Sequence, residues 1–100
     1  MNITFKSIIG KHILVGLIYI DGNGIEINRL QLYGEIIESK KNEAITIRKT
    51  NSNELFYLPP DISSIKIAKQ GEYTLKLTGE IISNPDLLAT WTIYKSQHNF

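Results

Sequence analysis

Chemistry in this chain would have to come from few side chains, and its two imidazoles, His12 and His98, are the first to weigh. A histidine pair can bind a metal or move a proton near neutral pH. Here His12 opens an apolar run and His98 stands in a polar tail, so the pair reads as ordinary surface. Asp21, Asn23 and Gly24 resemble the start of a calcium loop, but the remaining oxygen ligands and the closing glutamate are missing at the required spacing. Tight-turn chemistry accounts for them. The serines sit in no Gly-x-Ser-x-Gly turn, and no glycine-rich loop leads into Lys-Ser or Lys-Thr. There is no cysteine, which removes disulfides, thiolate nucleophiles and the usual structural zinc ligands together and fits a reducing compartment. The expectation is a non-enzyme with no cofactor and no metal.

Two binding surfaces are expected instead. The first joins "TGE" at Thr78 to Glu80, "NPD" at Asn84 to Asp86 and "TWT" at Thr90 to Thr92. If Gly79 and Trp91 face each other across a hairpin, then Thr78, Glu80, Thr90 and Thr92 line one surface beside the indole, with Asp86 in the connection. Cross-strand threonine pairing around a core tryptophan is the structural account of the same residues. The second surface is basic, formed by Lys40, Lys41, Arg48 and Lys49 with Tyr33 as a stacking aromatic, a combination that can grip a single strand of nucleic acid. Glu38 and Glu43 interrupt it, and phosphate affinity depends on uninterrupted positive charge. Glu26, Glu35, Glu38, Glu54, Glu72 and Glu80 are the acidic counterpart, where complementary charge would chiefly speed association with a basic protein.

The elements that must position these residues are strands. A chain of 100 residues holds one domain, its 42% hydrophobic content suffices for a core, and its net charge of +1 selects neither nucleic acid nor anionic lipid. The apolar run from Ile13 to Ile20 is well short of the roughly eighteen residues that would suggest a membrane helix. No small-residue cleavage site follows it, so a cytoplasmic protein is expected. β-branched and aromatic residues alternate along most of the length, a pattern that suits pleated, half-buried surfaces. Strands are expected over 11–20, 25–38, 44–49, 54–58, 65–68, 73–82 and 90–95. "DGNG" at Asp21 to Gly24 is a hairpin turn. All connections are short, which favours antiparallel neighbours.

In the second strand Leu30, Leu32, Gly34 and Ile36 share the inward face, and Gly34 allows a long strand to coil. Residues 11–20 are apolar on both faces, so a second layer must cover them, and the C-terminal strands are the expected cover. At "LFYLPPDISSIKIA" two prolines stop the ladder, and Pro60 and Asp61 favour one tight helical turn before alternation resumes at Ile65 and Ile67.

Strand, one 3₁₀ turn, strand is the link between the last two strands of SH3-like and Sm-like barrels, and residues 11–68 resemble that order. The Asp/Asn loop and Arg-Gly pair of Sm-like RNA binders are missing, as are the clustered aromatics and acidic loop of proline-motif-binding SH3 domains. "GKHILVGLIYID", "LPPD" and "TGEIISNPDLLATWTIY" are similar to small uncharacterised bacterial proteins, some of the toxin-immunity type. The resemblance implies an SH3-like small antiparallel barrel over 11–68, and the residue pattern adds a C-terminal hairpin over 72–95 packed on it, the whole being one all-β domain. With the small size and the absent chemistry, the resemblance points to a non-catalytic module that neutralises a partner toxin; RNA binding through the Lys40 to Lys49 hairpin is the alternative. Exposed strand edges leave homo-oligomers open.

Overall fold

The structure is a computed structural model that describes residues 2–95, so His98 lies outside the described residues. Among the described residues, alternating branched residues build eight strands: β1 (His12–Ile20), β2 (Glu26–Glu38), β3 (Ile45–Lys49), β4 (Leu55–Leu58), β5 (Ile65–Ile67), β6 (Glu72–Thr74), β7 (Ile81–Ser83) and β8 (Leu87–Tyr94). These described residues are all-β apart from a 3₁₀ turn at Ile62–Ser64. The "DGNG" turn forms as its chemistry requires. Asp21 Oδ1 accepts from the Asn23 and Ile25 amides at 2.8 and 3.0 Å, and Gly24 takes φ +80°. A bulge follows, where Tyr19 pairs Asn28 but Ile20 pairs Glu26, so Ile27 is left without a partner across the ladder.

β1 to β4 form an antiparallel meander, and the expected 3₁₀ turn joins β4 to β5. Leu58 ends the strand fully buried, Asp61 N donates to Pro59 O at 2.8 Å, and the Asp61 carboxylate caps the turn by accepting from Ser63 N and Ser64 Oγ. The Ser63 hydroxyl, then the Ser64 hydroxyl, hold that carboxyl below its usual range.

Beyond this point the architecture departs from the expectation. The six-stranded sheet runs β4-β3-β2-β1-β8-β5, and β8 lies parallel to β1 from Ile13↔Leu87 to Ile20↔Tyr94. The sheet is therefore mixed, and β8 occupies the place beside β1 where β5 was expected to close a barrel. Short connections constrain only successive strands, whereas β1 and β8 are separated by all the others and are free to run parallel. No ladder joins β4 to β5 among the described residues, so the sheet curls without a recorded closure.

The strand expected over 73–82 is also corrected. It breaks into β6 and β7 around a turn at 75–80, where Leu75 N donates to Glu80 O at 2.8 Å and Gly79 takes φ +76°. The C-terminal hairpin over 72–95 is thus two things: a small β6-β7 sheet, and a strand built into the main one. The β5-β8 ladder continues through Ala68 N to Asp86 O at 3.0 Å, and Asn84 and Gly71 exchange bonds at 2.8 Å at the foot of β6-β7. Residues 65–94 form one long hairpin, bent at Gly71 (φ +150°) and Asn84 (φ +49°) so that its tip lies back over the sheet.

One core fills the concave side. Ile13, Val15 and Leu17 of β1 meet Ile36 of β2, Ile45 and Ile47 of β3, Leu58 of β4, Ile65 of β5 and Leu87, Ala89 and Trp91 of β8 in a single cluster. A flat sheet could not bring both edge strands into it. Ile8, fully buried in the turn before β1, completes the cluster. That turn is held by Thr4 and Ser7, each side chain accepting from the other's amide at 2.9 and 3.0 Å.

Candidate functional site

Register alone lays out the convex face. Parallel pairing with β8 and antiparallel pairing with β2 set Leu88, Leu14 and Tyr33 in one row, Thr90, Gly16 and Gln31 in the next, then Thr92, Ile18 and Arg29, and last Tyr94, Ile20 and Glu26. The alternation that buries Val15 and Leu17 leaves this face half-covered. The tip of the bent hairpin lies over it: Leu77 N donates to Gln31 Oε1 at 3.4 Å, and Asn51 Nδ2 donates to Glu80 Oε2 at 2.8 Å. Leu75 and Ile82 are buried there, outside the main core cluster.

Between tip and sheet is a groove of about 170 Å³, lined by Gly16, Ile18, Arg29, Gln31, Lys76, Leu77 and Thr90 among others. Gly16 leaves its floor bare, since a Cβ there would stand 3.6 Å from Thr90 Oγ1. Leu77 is 60% exposed, and Ile27 and Tyr94 are exposed near the far end of the same strands. Cationic groups stand at the groove. Arg29 Nε donates to Glu26 Oε2 at 2.8 Å, a bond that holds the Glu26 carboxyl below and the Arg29 guanidinium above their usual ranges. Lys76 forms no ion pair among the described residues.

Of the partner-surface residues expected from sequence, Thr90 lines this groove and Thr92 is exposed in the next row. Thr78 and Glu80 lie on the other flank of the tip, around a cavity of about 100 Å³ shared with Tyr33, Lys49 and Asn51. Trp91 must be removed from the surface set. It pairs with Leu17, is 6% exposed, and belongs to the core, on the opposite side of β8 from Thr90 and Thr92. Gly79 does not face it.

Asp86 has a different task. Its Oδ2 accepts from His12 N at 2.9 Å while its own amide donates to His12 O at 3.1 Å, clamping the start of the parallel pair. The His12 ring stacks on Tyr33 with centroids 5.8 Å apart, and Nδ1 is 3.8 Å from Asp86 Oδ2. Burial, then the Asp86 charge, push the Tyr33 hydroxyl above its usual range.

The basic surface is dispersed. Lys40 and Lys41 stand in the turn before β3, whereas Arg48 and Lys49 end that strand, three and four rises or roughly 10 and 13 Å beyond Ile45. Arg48 Nη2 is engaged by Glu35 Oε1 at 3.2 Å, and Tyr33 has His12 on its ring. Sequence reasoning missed Gly16, Gln31, Lys76 and Leu77, because the span 73–82 alternates as one strand. Thr78-Gly79 was the available turn signal. Among the described residues no group of acidic or imidazole side chains could hold a metal ion. Comparison with protein-family models, curated proteins and solved structures finds no match for the chain.

Proposed function

We propose that this chain is a non-catalytic binding module of SH3-like descent, opened by the insertion of β8 between its first and fifth strands. In this reading it is a bacterial, cytoplasmic immunity-type protein that holds a partner protein against the convex face of β1, β2 and β8. The groove beneath the hairpin tip carries the proposal. At about 170 Å³ it is smaller than the roughly 300 Å³ at which pockets for drug-sized ligands begin, and it matches a single anchoring side chain. Anchors of that kind, set in an apolar floor with a polar rim, concentrate binding energy in protein interfaces. Lys76, whose ammonium forms no ion pair among the described residues, selects a partner whose apolar anchor is flanked by an acidic residue, since complementary charge sets register and on-rate. Exposed Leu77, Ile27 and Tyr94 extend the apolar frame around it.

The test is calorimetric titration of the full chain with the protein encoded beside it, alongside a growth assay on co-expression. Saturable binding that falls at least tenfold in Leu77→Glu and in Thr90→Arg, with growth rescue lost in parallel, is the expected result. An RNA gel shift that collapses with salt and with Lys40→Glu/Lys41→Glu, in place of protein binding, would overturn it in favour of nucleic acid.

A further inference from the structure

The two edges of the six-stranded sheet are not equivalent. β5 has three residues with Lys66 at its centre, a charge of the kind that blunts strand-to-strand pairing. β4, Leu55-Phe56-Tyr57-Leu58, carries no charge, and Leu55 and Tyr57 are 49% and 62% exposed. Lys49 N donates to Glu54 O at 2.8 Å, which fixes the alternation along β4. Glu54, Phe56 and Leu58 turn their backbone groups toward β3, so Leu55 and Tyr57 turn theirs to the open edge.

We infer that β4 pairs antiparallel with β4 of a second copy of this chain about a two-fold axis at Phe56. This surface is separate from the groove and does not depend on the function proposed above. In that register Leu55 of each copy lies opposite Tyr57 of the other, and the two pairs exchange about four backbone hydrogen bonds. Aliphatic-on-aromatic contacts then cover the convex side, and the two Phe56 rings meet on the concave side. Both terminators coincide as well. Pro59, which has no N–H to give, falls opposite Asn53, whose φ of +59° has already ended the strand. Glu54 faces Leu58 of the second copy, so the two Glu54 backbones are displaced by four residues, roughly 13 Å along the strand, beyond the Debye length of about 8 Å at physiological salt. No other charge lies within the four residues. A second copy matches each of these constraints, and a strand of arbitrary sequence matches none by necessity. So short an edge makes a weak, concentration-dependent dimer.

Sedimentation equilibrium of the full chain over a concentration series tests this. A monomer-dimer equilibrium is expected, with the dissociation constant raised at least tenfold by Tyr57→Lys and unchanged by Lys66→Glu on the other edge. Since the chain has no cysteine, Phe56→Cys should form a symmetric disulfide dimer on mild oxidation while Leu77→Cys, on the hairpin tip, should not. A monomer up to about 1 mM, well above the range of specific standard-size interfaces, would overturn the inference. So would a dimer indifferent to Tyr57→Lys. If Phe56→Cys fails to fold, the Tyr57→Lys sedimentation still decides.

Discussion

Gly34 shows how a single missing side chain sets the path of two strands. It is buried midway along β2, opposite Lys49 on β3. A Cβ there would collide with the Arg48 carbonyl oxygen and stand 2.9 Å from the carbonyl carbon and 3.1 Å from Lys49 Cα. All three are backbone atoms, which cannot rotate away as a side-chain tip can. Gly34→Ala must therefore separate β2 from β3 or distort one of them, a cost of about 1–3 kcal/mol by the usual penalty for overpacking. Gly16 supplies the control: its added Cβ would make ordinary contact at 3.6 Å with Thr90 Oγ1. Urea denaturation should show a lower midpoint at unchanged slope for Gly34→Ala and a shift within about 0.5 kcal/mol for Gly16→Ala. Equal losses for the two would show that close backbone approach is not what Gly34 provides. The sequence pattern placed Gly34 on the inward face and linked it to coiling of the strand. The identity of the obstructing atoms depends on the β2-β3 register, which local pattern does not contain.

At the scale of elements, the bent hairpin divides what was legible from what was not. β1 to β4, the "DGNG" turn and the Pro59-Pro60 corner follow from alternation and turn chemistry, both of which act within a few residues. The stretch 73–82 alternates through its own turn, so periodicity reads it as one strand. Only Gly79 marks the reversal that separates β6 from β7. Thr78 and Glu80 consequently moved away from Thr90 and Thr92, and the groove residues Lys76 and Leu77 were absorbed into a strand that does not exist. Leu75 and Ile82 fasten this small sheet to the convex face, yet neither joins the core cluster. The hairpin is therefore expected to open locally, ahead of the main sheet. Leu75→Ala removes a buried contact with few neighbours to fill the space. Hydrogen exchange at 72–83 should accelerate at least tenfold in that variant while the amides of β1 and β2 keep their protection. Uniform loss of protection across both sheets would mean that hairpin and sheet unfold together.

For the molecule as a whole, the decisive feature is the parallel strand that arrives last. Residues 11–68 contain the meander, the 3₁₀ turn and the short strand after it, which together look sufficient for a small barrel. The structure gives that set a sheet in which β5 touches β8 rather than β1, so without β8 the ladder ends at β1 and β5 has no recorded strand partner. β8 also contributes Leu87, Ala89 and Trp91 to the core. Burying its two large side chains, at about 1.5–3 kcal/mol each, together with the smaller alanine, is worth roughly 4–7 kcal/mol. A domain of this size has only about 5–15 kcal/mol in total, so losing β8 removes a large share of the margin and, at the lower end of that range, all of it. Exposure of a long, uncharged β1 edge would add a tendency to aggregate. A fragment of residues 1–71 is therefore expected to lack a cooperative urea transition and to give collapsed amide dispersion in NMR spectra, whereas the full chain unfolds in a single step reported by its one tryptophan. A fragment that melted cooperatively with dispersed amides would mean that 11–68 closes on itself when β8 is absent. β8 would then be an intruder into a self-sufficient barrel, and the curl of the sheet would owe nothing to the parallel pair.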